Sequence, residues 1–139
     1  NLRQSFLDAD EDLFTETYQN ILLRPSYHDL ERENSYPMFS LGMCMYLENQ
    51  YEVLSNHENG KGRYDITLKS KKEHLPSYVI EFKYLKKTEL KEGELDQLAN
   101  QAIQQIKDNH YDHELKGKVT YIGLAHHGKD VSIKWEERI

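Results

Sequence analysis

Apolar side chains recur at two different periods along this chain, and the change of period marks out its elements. Between residues 8 and 23, Leu13, Phe14, Thr17, Tyr18, Ile21 and Leu22 fall at helical spacing behind Asp8 and Asp10. Either aspartate can cap such a helix, and Arg24-Pro25 ends it. After a polar stretch, Ser35 can cap a second helix with Pro37 in the first turn, where a missing N–H is harmless. That helix is expected to run to about Asn49, with Phe39, Leu41, Met43, Tyr46 and Leu47 on its apolar face.

From Tyr51 onward the period is two. Tyr51 to Asn56, Arg63 to Ser70 and Tyr78 to Leu85 read as strands. Asn59-Gly60 supplies the first hairpin turn, since both residues accept positive φ, and Pro76 with its polar neighbours marks the second. Residues Glu94 to Asn109 return to the helical period, with Leu95, Leu98, Ala99, Ala102, Ile103 and Ile106 forming one stripe. Lys118 to Ala125 and Asp130 to Trp135 read as two further strands about a turn at Gly128-Lys129. The order α, α, β, β, β, α, β, β predicts a mixed sheet with a crossover helix, an α/β sandwich.

Size and composition narrow the class. A chain of 139 residues with 37% hydrophobic and 11% aromatic residues is expected to build one core. No apolar run approaches the ~20 residues of a membrane span. The chain opens at Asn1 with neither an initiator Met nor a charged-then-apolar leader, and is expected to be a piece of a longer protein. The single cysteine, Cys44, sits in the apolar run Met43-Cys44-Met45-Tyr46 as a structural thiol, which suits a reducing cytoplasm.

A net charge of −6 and a pI near 5.6 count against simple high-affinity nucleic-acid binding. The distribution changes that picture. Lys69, Lys71, Lys72, Lys83, Lys86, Lys87 and Lys91 crowd one third of the chain, while much of the acid lies between Asp8 and Glu33.

The chemistry lies on two strand faces. In the second strand Tyr64, Ile66 and Leu68 alternate with Arg63, Asp65, Thr67 and Lys69; in the third, Ile80, Phe82 and Tyr84 alternate with Val79, Glu81 and Lys83. An acid and a lysine two apart, beside an acid on the neighbouring strand, form a polar cluster on an apolar sheet. Two close carboxylates repel unless a cation lies between them, and oxygen ligation with open water positions suits Mg²⁺ or Mn²⁺. The competing reading is a set of cross-strand salt bridges on a solvated face. Alternation alone favours the salt bridges.

The run Ser55-Asn56-His57-Glu58-Asn59-Gly60-Lys61-Gly62-Arg63-Tyr64-Asp65-Ile66, followed by Ile80-Glu81-Phe82-Lys83, resembles a known family. So do Ala102-Ile103-Gln104-Gln105-Ile106 and the closing Gly123-Leu124-Ala125-His126-His127-Gly128-Lys129. The family is the C-terminal nuclease domain found behind an AAA-ATPase-like domain in many bacterial proteins, within the PD-(D/E)XK superfamily. The resemblance implies a restriction-endonuclease-like core, a mixed central sheet flanked by helices. It places the nuclease domain at residues 33–139 and makes 1–32 a helical lead-in or linker from an upstream domain.

By the same resemblance Asp65 and Glu81 are metal ligands and Lys83 is the catalytic lysine. Glu33 matches the family's early acid, which completes or orients the metal site, and Gln105 matches a glutamine directed at that site or at the nucleic-acid backbone. The implied activity is Mg²⁺- or Mn²⁺-dependent hydrolysis of DNA in the cytoplasm, with an ATPase-like domain of the same chain as partner and oligomerisation left open. A catalytically silent module that keeps the fold for nucleic-acid or protein binding is the alternative. Tyr64 stands before the acid where the superfamily's name has proline, and His126 stands where the family more often has an aromatic residue.

Secondary candidates surround this set. Arg63 can contact phosphate bidentately or pair with Glu58 across the hairpin. Lys86 and Lys87 are candidates for nucleic-acid contact, and Lys69, Lys71 and Lys72 form either a second rim or a solvated hairpin tip. Trp135 is expected to pack against the first helix.

Overall fold

Among the described residues five strands form one mixed sheet in the order β1-β2-β3-β4-β5, with helices on both faces. The computed structural model describes residues 1–24, 42, 45–58, 63–86 and 89–139, without the side chains of residues 57, 58 and 63. The strands are β1 (Tyr51–Glu58), β2 (Arg63–Ser70), β3 (Ser77–Tyr84), β4 (Val119–His127) and β5 (Asp130–Glu137). Neighbours pair antiparallel except β3 and β4, which are parallel. A parallel pair needs a crossover, and α3 (Glu94–Asp108) provides it.

The first 22 residues form two helices rather than the expected one, α1 (Leu2–Asp8) and α2 (Glu11–Leu22). Ala9 takes the left-handed conformation at φ 51 and its N–H closes back on α1, so the chain breaks between the two helices without a glycine or proline to announce it. Of the two candidate caps Asp10 is the one used; its Oδ1 accepts from the Leu13 N–H at 3.0 Å, and Glu11 and Asp12 add negative charge at the positive end. The second expected helix lies largely outside the described residues. Its last part, Met45–Leu47, is a single 3₁₀ turn running into β1.

Helices α1 and α2 cover one sheet face. Phe6, Phe14, Tyr18 and Leu22 bury there against Tyr64, Ile66 and Leu68 of β2, Ile80 and Phe82 of β3, and Ile122 and Leu124 of β4. Phe6 meets Tyr78 edge-on with ring centroids 5.0 Å apart, and Trp135 packs on Phe14 at 5.6 Å, as expected of it. Such aromatic pairs add about 0.5–1.5 kcal/mol each beyond the area they bury. The buried residues of α1 and α2 therefore form part of the core on this sheet face.

The other face belongs to α3. Ala99, Ala102, Ile103 and Ile106 of the predicted stripe are buried, and Ile103 and Ile106 pack with Val79, Val119 and Tyr121. Gly123 in mid-β4 permits this. A Cβ built there would lie 2.3 Å from the Ala99 carbonyl oxygen, so the helix backbone rests directly on the strand.

Candidate active site

One row crosses the whole sheet. Asn56 of β1 pairs with Asp65 of β2, Asp65 with Glu81 of β3, Glu81 with Gly123 of β4, and Gly123 with Lys134 of β5. Residues directly opposite on antiparallel strands share a face with Cβ atoms about 4.5–5.5 Å apart, so the Asp65 and Glu81 carboxylates stand side by side. Because α3 sits close over Gly123, the next position in the row is roofed. Glu81 is fully buried and Asp65 only 6% exposed.

This burial rules out the salt bridges of a solvated face. A carboxylate held out of water is costly without compensation. Part of it comes from Lys83, two residues along the same face of β3, whose Nζ lies 3.8 Å from Glu81 Oε1. The same ammonium donates to Oε1 of Gln105 on α3. The crossover helix thus places Gln105 over the strand pair, and Asp65, Glu81, Lys83 and Gln105 come together from three elements.

As a donor set the two carboxylates are hard oxygen ligands at adjacent positions, one roofed and one at the edge of the roof. That fits a Mg²⁺-sized cation, which retains several waters and takes one or two carboxylates from the protein. Among the described residues no group of three or more His, Cys, Asp or Glu side chains is placed to hold a metal ion. Glu33, expected as a further acid, lies outside the described residues, as does Lys87. Arg63 opens β2, with its side chain outside the description. Lys86 is exposed just beyond β3, its Nζ 5.9 Å from the centroid of the Tyr84 ring.

The site's support includes residues to which sequence reasoning assigned no role. His126 of β4 is fully buried on the α2 side of the sheet, with Nε2 2.6 Å from the Tyr18 hydroxyl and Nδ1 3.2 Å from the Lys83 carbonyl oxygen. Burial pushes its pKa down to about 4, the hydrogen bond to Lys83 opposing this only in part. Two adjacent histidines at the end of an apolar strand carry no ligand spacing, so the partners of His126 are visible only once strand and helix have packed. Gly123 had a signal, a lone glycine amid apolar strand residues.

A mixed five-stranded sheet between helices, with paired acids and a lysine on its inner strands, defines a restriction-endonuclease-like fold of the kind that acts on phosphodiesters. The family model of the PD-(D/E)XK nuclease superfamily matches residues 31–136, and the chain belongs to that superfamily. No curated protein and no solved structure matches the chain. Members of the superfamily generally hydrolyse phosphodiester bonds and typically use divalent metals.

Proposed function

We propose that this chain is the nuclease domain of a larger cytoplasmic protein and hydrolyses DNA with Mg²⁺ or Mn²⁺, the upstream partner being an ATPase-like domain. The observation that supports the reading best is the Asp65–Glu81 pair, directly opposed across β2 and β3 and met by Lys83 and Gln105. Asp65 and Glu81 would hold the ion, with Glu33 as a further acid. The chemistry such an ion supplies is an activated water and neutralised charge on the scissile phosphate.

The side chains do the remaining work. Lys83, already directed toward Glu81 and held by Gln105, offers a positive charge and hydrogen bonds to the reacting phosphate or the attacking water. Gln105 fixes that ammonium on the site side of the sheet, since an amide oxygen accepts without competing for charge. The α3 roof excludes water from the Glu81 side and strengthens each of these interactions. Lys86, Lys87 and Arg63 are proposed as contacts to the flanking backbone.

The test is cleavage of linear, circular and single-stranded DNA, with RNA alongside, in Mg²⁺, Mn²⁺ and EDTA, using Glu81→Ala as control. Metal-dependent cleavage lost in Glu81→Ala is the expected result. Binding without cleavage in wild type would instead select the silent nucleic-acid-binding module.

A further inference from the structure

Among the described residues, the face that carries Asp65 and Glu81 is only half roofed. Helix α3 packs on β3, β4 and β5. On the strip formed by β1 and β2, Glu52, Asn56 and Lys69 are exposed and Leu54 is 46% exposed. In register, Asn56 faces Asp65, Leu54 faces Thr67 and Glu52 faces Lys69, so this strip runs straight on from the acid pair along β2. Beyond α3 the chain turns back at His110, with φ 54, and residues 110–115 stand over the far part of the strip. Between strip and loop lies a recess of about 410 Å³ whose lining includes Glu52, Leu54, Thr67, Lys69, Tyr111, His113 and Glu114.

The wall of this recess is braced from behind. Arg138 donates to the Asp112 carbonyl at 3.1 Å, to its carboxylate at 3.1 Å, to the Leu115 carbonyl at 2.8 Å and to the Gly117 carbonyl at 3.0 Å. The Tyr121 hydroxyl adds a hydrogen bond to the same carboxylate at 2.7 Å. Burial pushes the Asp112 carboxyl up, but the hydrogen bonds from Tyr121 and Arg138 outweigh it and hold the group below the usual carboxylate range. The loop is thus set in place before any ligand arrives.

We propose that this recess is a nucleotide subsite, which receives the base of an unpaired strand flanking the scissile phosphate. The proposal rests on the nuclease reading above and deepens it by naming the form of substrate. Three features carry it. Position is the first: at the rise of a strand, Thr67 lies about 7 Å and Lys69 about 14 Å along β2 from Asp65, roughly the length that a nucleotide or two of an extended chain covers.

Charge is the second feature. With Glu52 and Glu114 against one lysine, the recess repels a phosphate but offers acceptors to the N–H groups of a base edge, while the exposed Lys69 suits the backbone. Shape and lining are the third. Leu54 is exposed, the partly buried Tyr111 packs on the second core and borders the recess, and His110 and His113 add two rings to a mixed polar and apolar lining of the kind that can meet a base. A paired base cannot enter such a recess, because its Watson–Crick edge and both its faces are already engaged in the duplex.

The experiment measures equilibrium binding of the whole chain in EDTA, so that no cleavage intervenes. The probes are short single-stranded DNA, single-stranded RNA and duplex DNA of one sequence, each carrying a fluorescent purine analogue at successive positions. Wild type should bind a single strand more tightly than the duplex and alter the analogue's fluorescence at one part of the strand only. The DNA and RNA arms identify which strand the subsite takes.

Leu54→Glu should weaken single-strand binding by about tenfold, within the range set by loss of one stacked base, and leave duplex binding unchanged. His113→Ala should act in the same direction. Both positions are exposed, so an unchanged melting temperature checks that the fold is intact. Equal single-strand affinity in Leu54→Glu and wild type, uniform fluorescence changes along the strand, or preference for duplex would each overturn the subsite while leaving metal-dependent cleavage untouched. If binding follows the expected pattern but Mg²⁺ brings no cleavage, the subsite stands and the catalytic reading falls.

Discussion

The Tyr18 hydroxyl on α2 lies 2.6 Å from Nε2 of His126, whose other ring nitrogen lies 3.2 Å from the backbone carbonyl of Lys83. A carbonyl can only accept, so Nδ1 carries the proton, Nε2 is the acceptor and Tyr18 is the donor. One neutral imidazole therefore links a helix that precedes the matched residues 31–136 to the strand bearing Glu81 and Lys83.

Removing the tyrosine hydroxyl tests that link. Tyr18→Phe keeps the ring stacked on Phe14 but leaves Nε2 buried without its donor. A loss of about 1–3 kcal/mol in unfolding free energy is expected, measured by urea denaturation at neutral pH. An unchanged midpoint would mean that the contact contributes nothing to stability.

The same histidine makes stability depend on pH. Its pKa falls from 6.5 to about 4 on folding, so between those values the unfolded chain binds the proton that the folded chain refuses. Stability is full above pH 6.5, declines as pH falls toward 4 and flattens below it; the loss is about 3 kcal/mol at ~1.4 kcal/mol per pH unit. In His126→Phe that slope should disappear from unfolding curves collected across the window. A parallel slope in the variant would assign it to other groups.

For Lys83→Ala the expected result is a fall in cleavage of about 10²–10³ with metal affinity nearly intact, because lysine supplies charge and hydrogen bonds rather than coordination. Cleavage rates and a Mn²⁺ titration on the same preparation separate the two effects. Full activity would remove Lys83 from the chemistry.

Replacing one carboxylate should relieve repulsion. Asp65 and Glu81 face each other out of water, and Lys83 offsets only part of the cost. Asp65→Asn should therefore match or exceed wild type in stability in EDTA. In wild type, 10 mM Mg²⁺ at a Kd of ~1 mM should add ~1.4 kcal/mol, roughly 5 °C in Tm, and the variant should lose that gain. Melting curves at fixed ionic strength decide it; a shift retained in Asp65→Asn would dismiss this residue as a ligand.

Gly123→Ala probes the roof. The new methyl would stand 2.3 Å from the Ala99 carbonyl oxygen and 3.2 Å from Ile103 Cγ1, and backbone cannot rotate away. Overpacking of this kind costs about 1–3 kcal/mol, and α3 must move, taking Gln105 from Lys83. Both a lower Tm and slower cleavage are expected; a variant as stable as wild type would show that α3 gives way freely.

The strands and their faces were legible because an extended chain alternates sides regardless of its neighbours. Hence Asp65 fell opposite the apolar face of Tyr64, Ile66 and Leu68, and Glu81 and Lys83 fell together on β3. The α3 stripe was legible for the equivalent reason at the helical period. The break at Ala9 was not, since nothing in the local sequence demands a left-handed alanine and the packing of Phe6 and Phe14 onto the sheet overrides its preference.

Pairing decided the rest. Only β2–β3 register sets Asp65 against Glu81, only the contact of α3 with Gly123 buries Glu81 and brings Gln105 to Lys83, and only folding joins Tyr18 to His126 across 108 positions. Periodicity is a property of one element, whereas burial and hydrogen-bond partnership belong to two elements at once. The chain's pattern therefore determined which side chains share a strand face, and the tertiary structure decided which of them lost water and what they met instead.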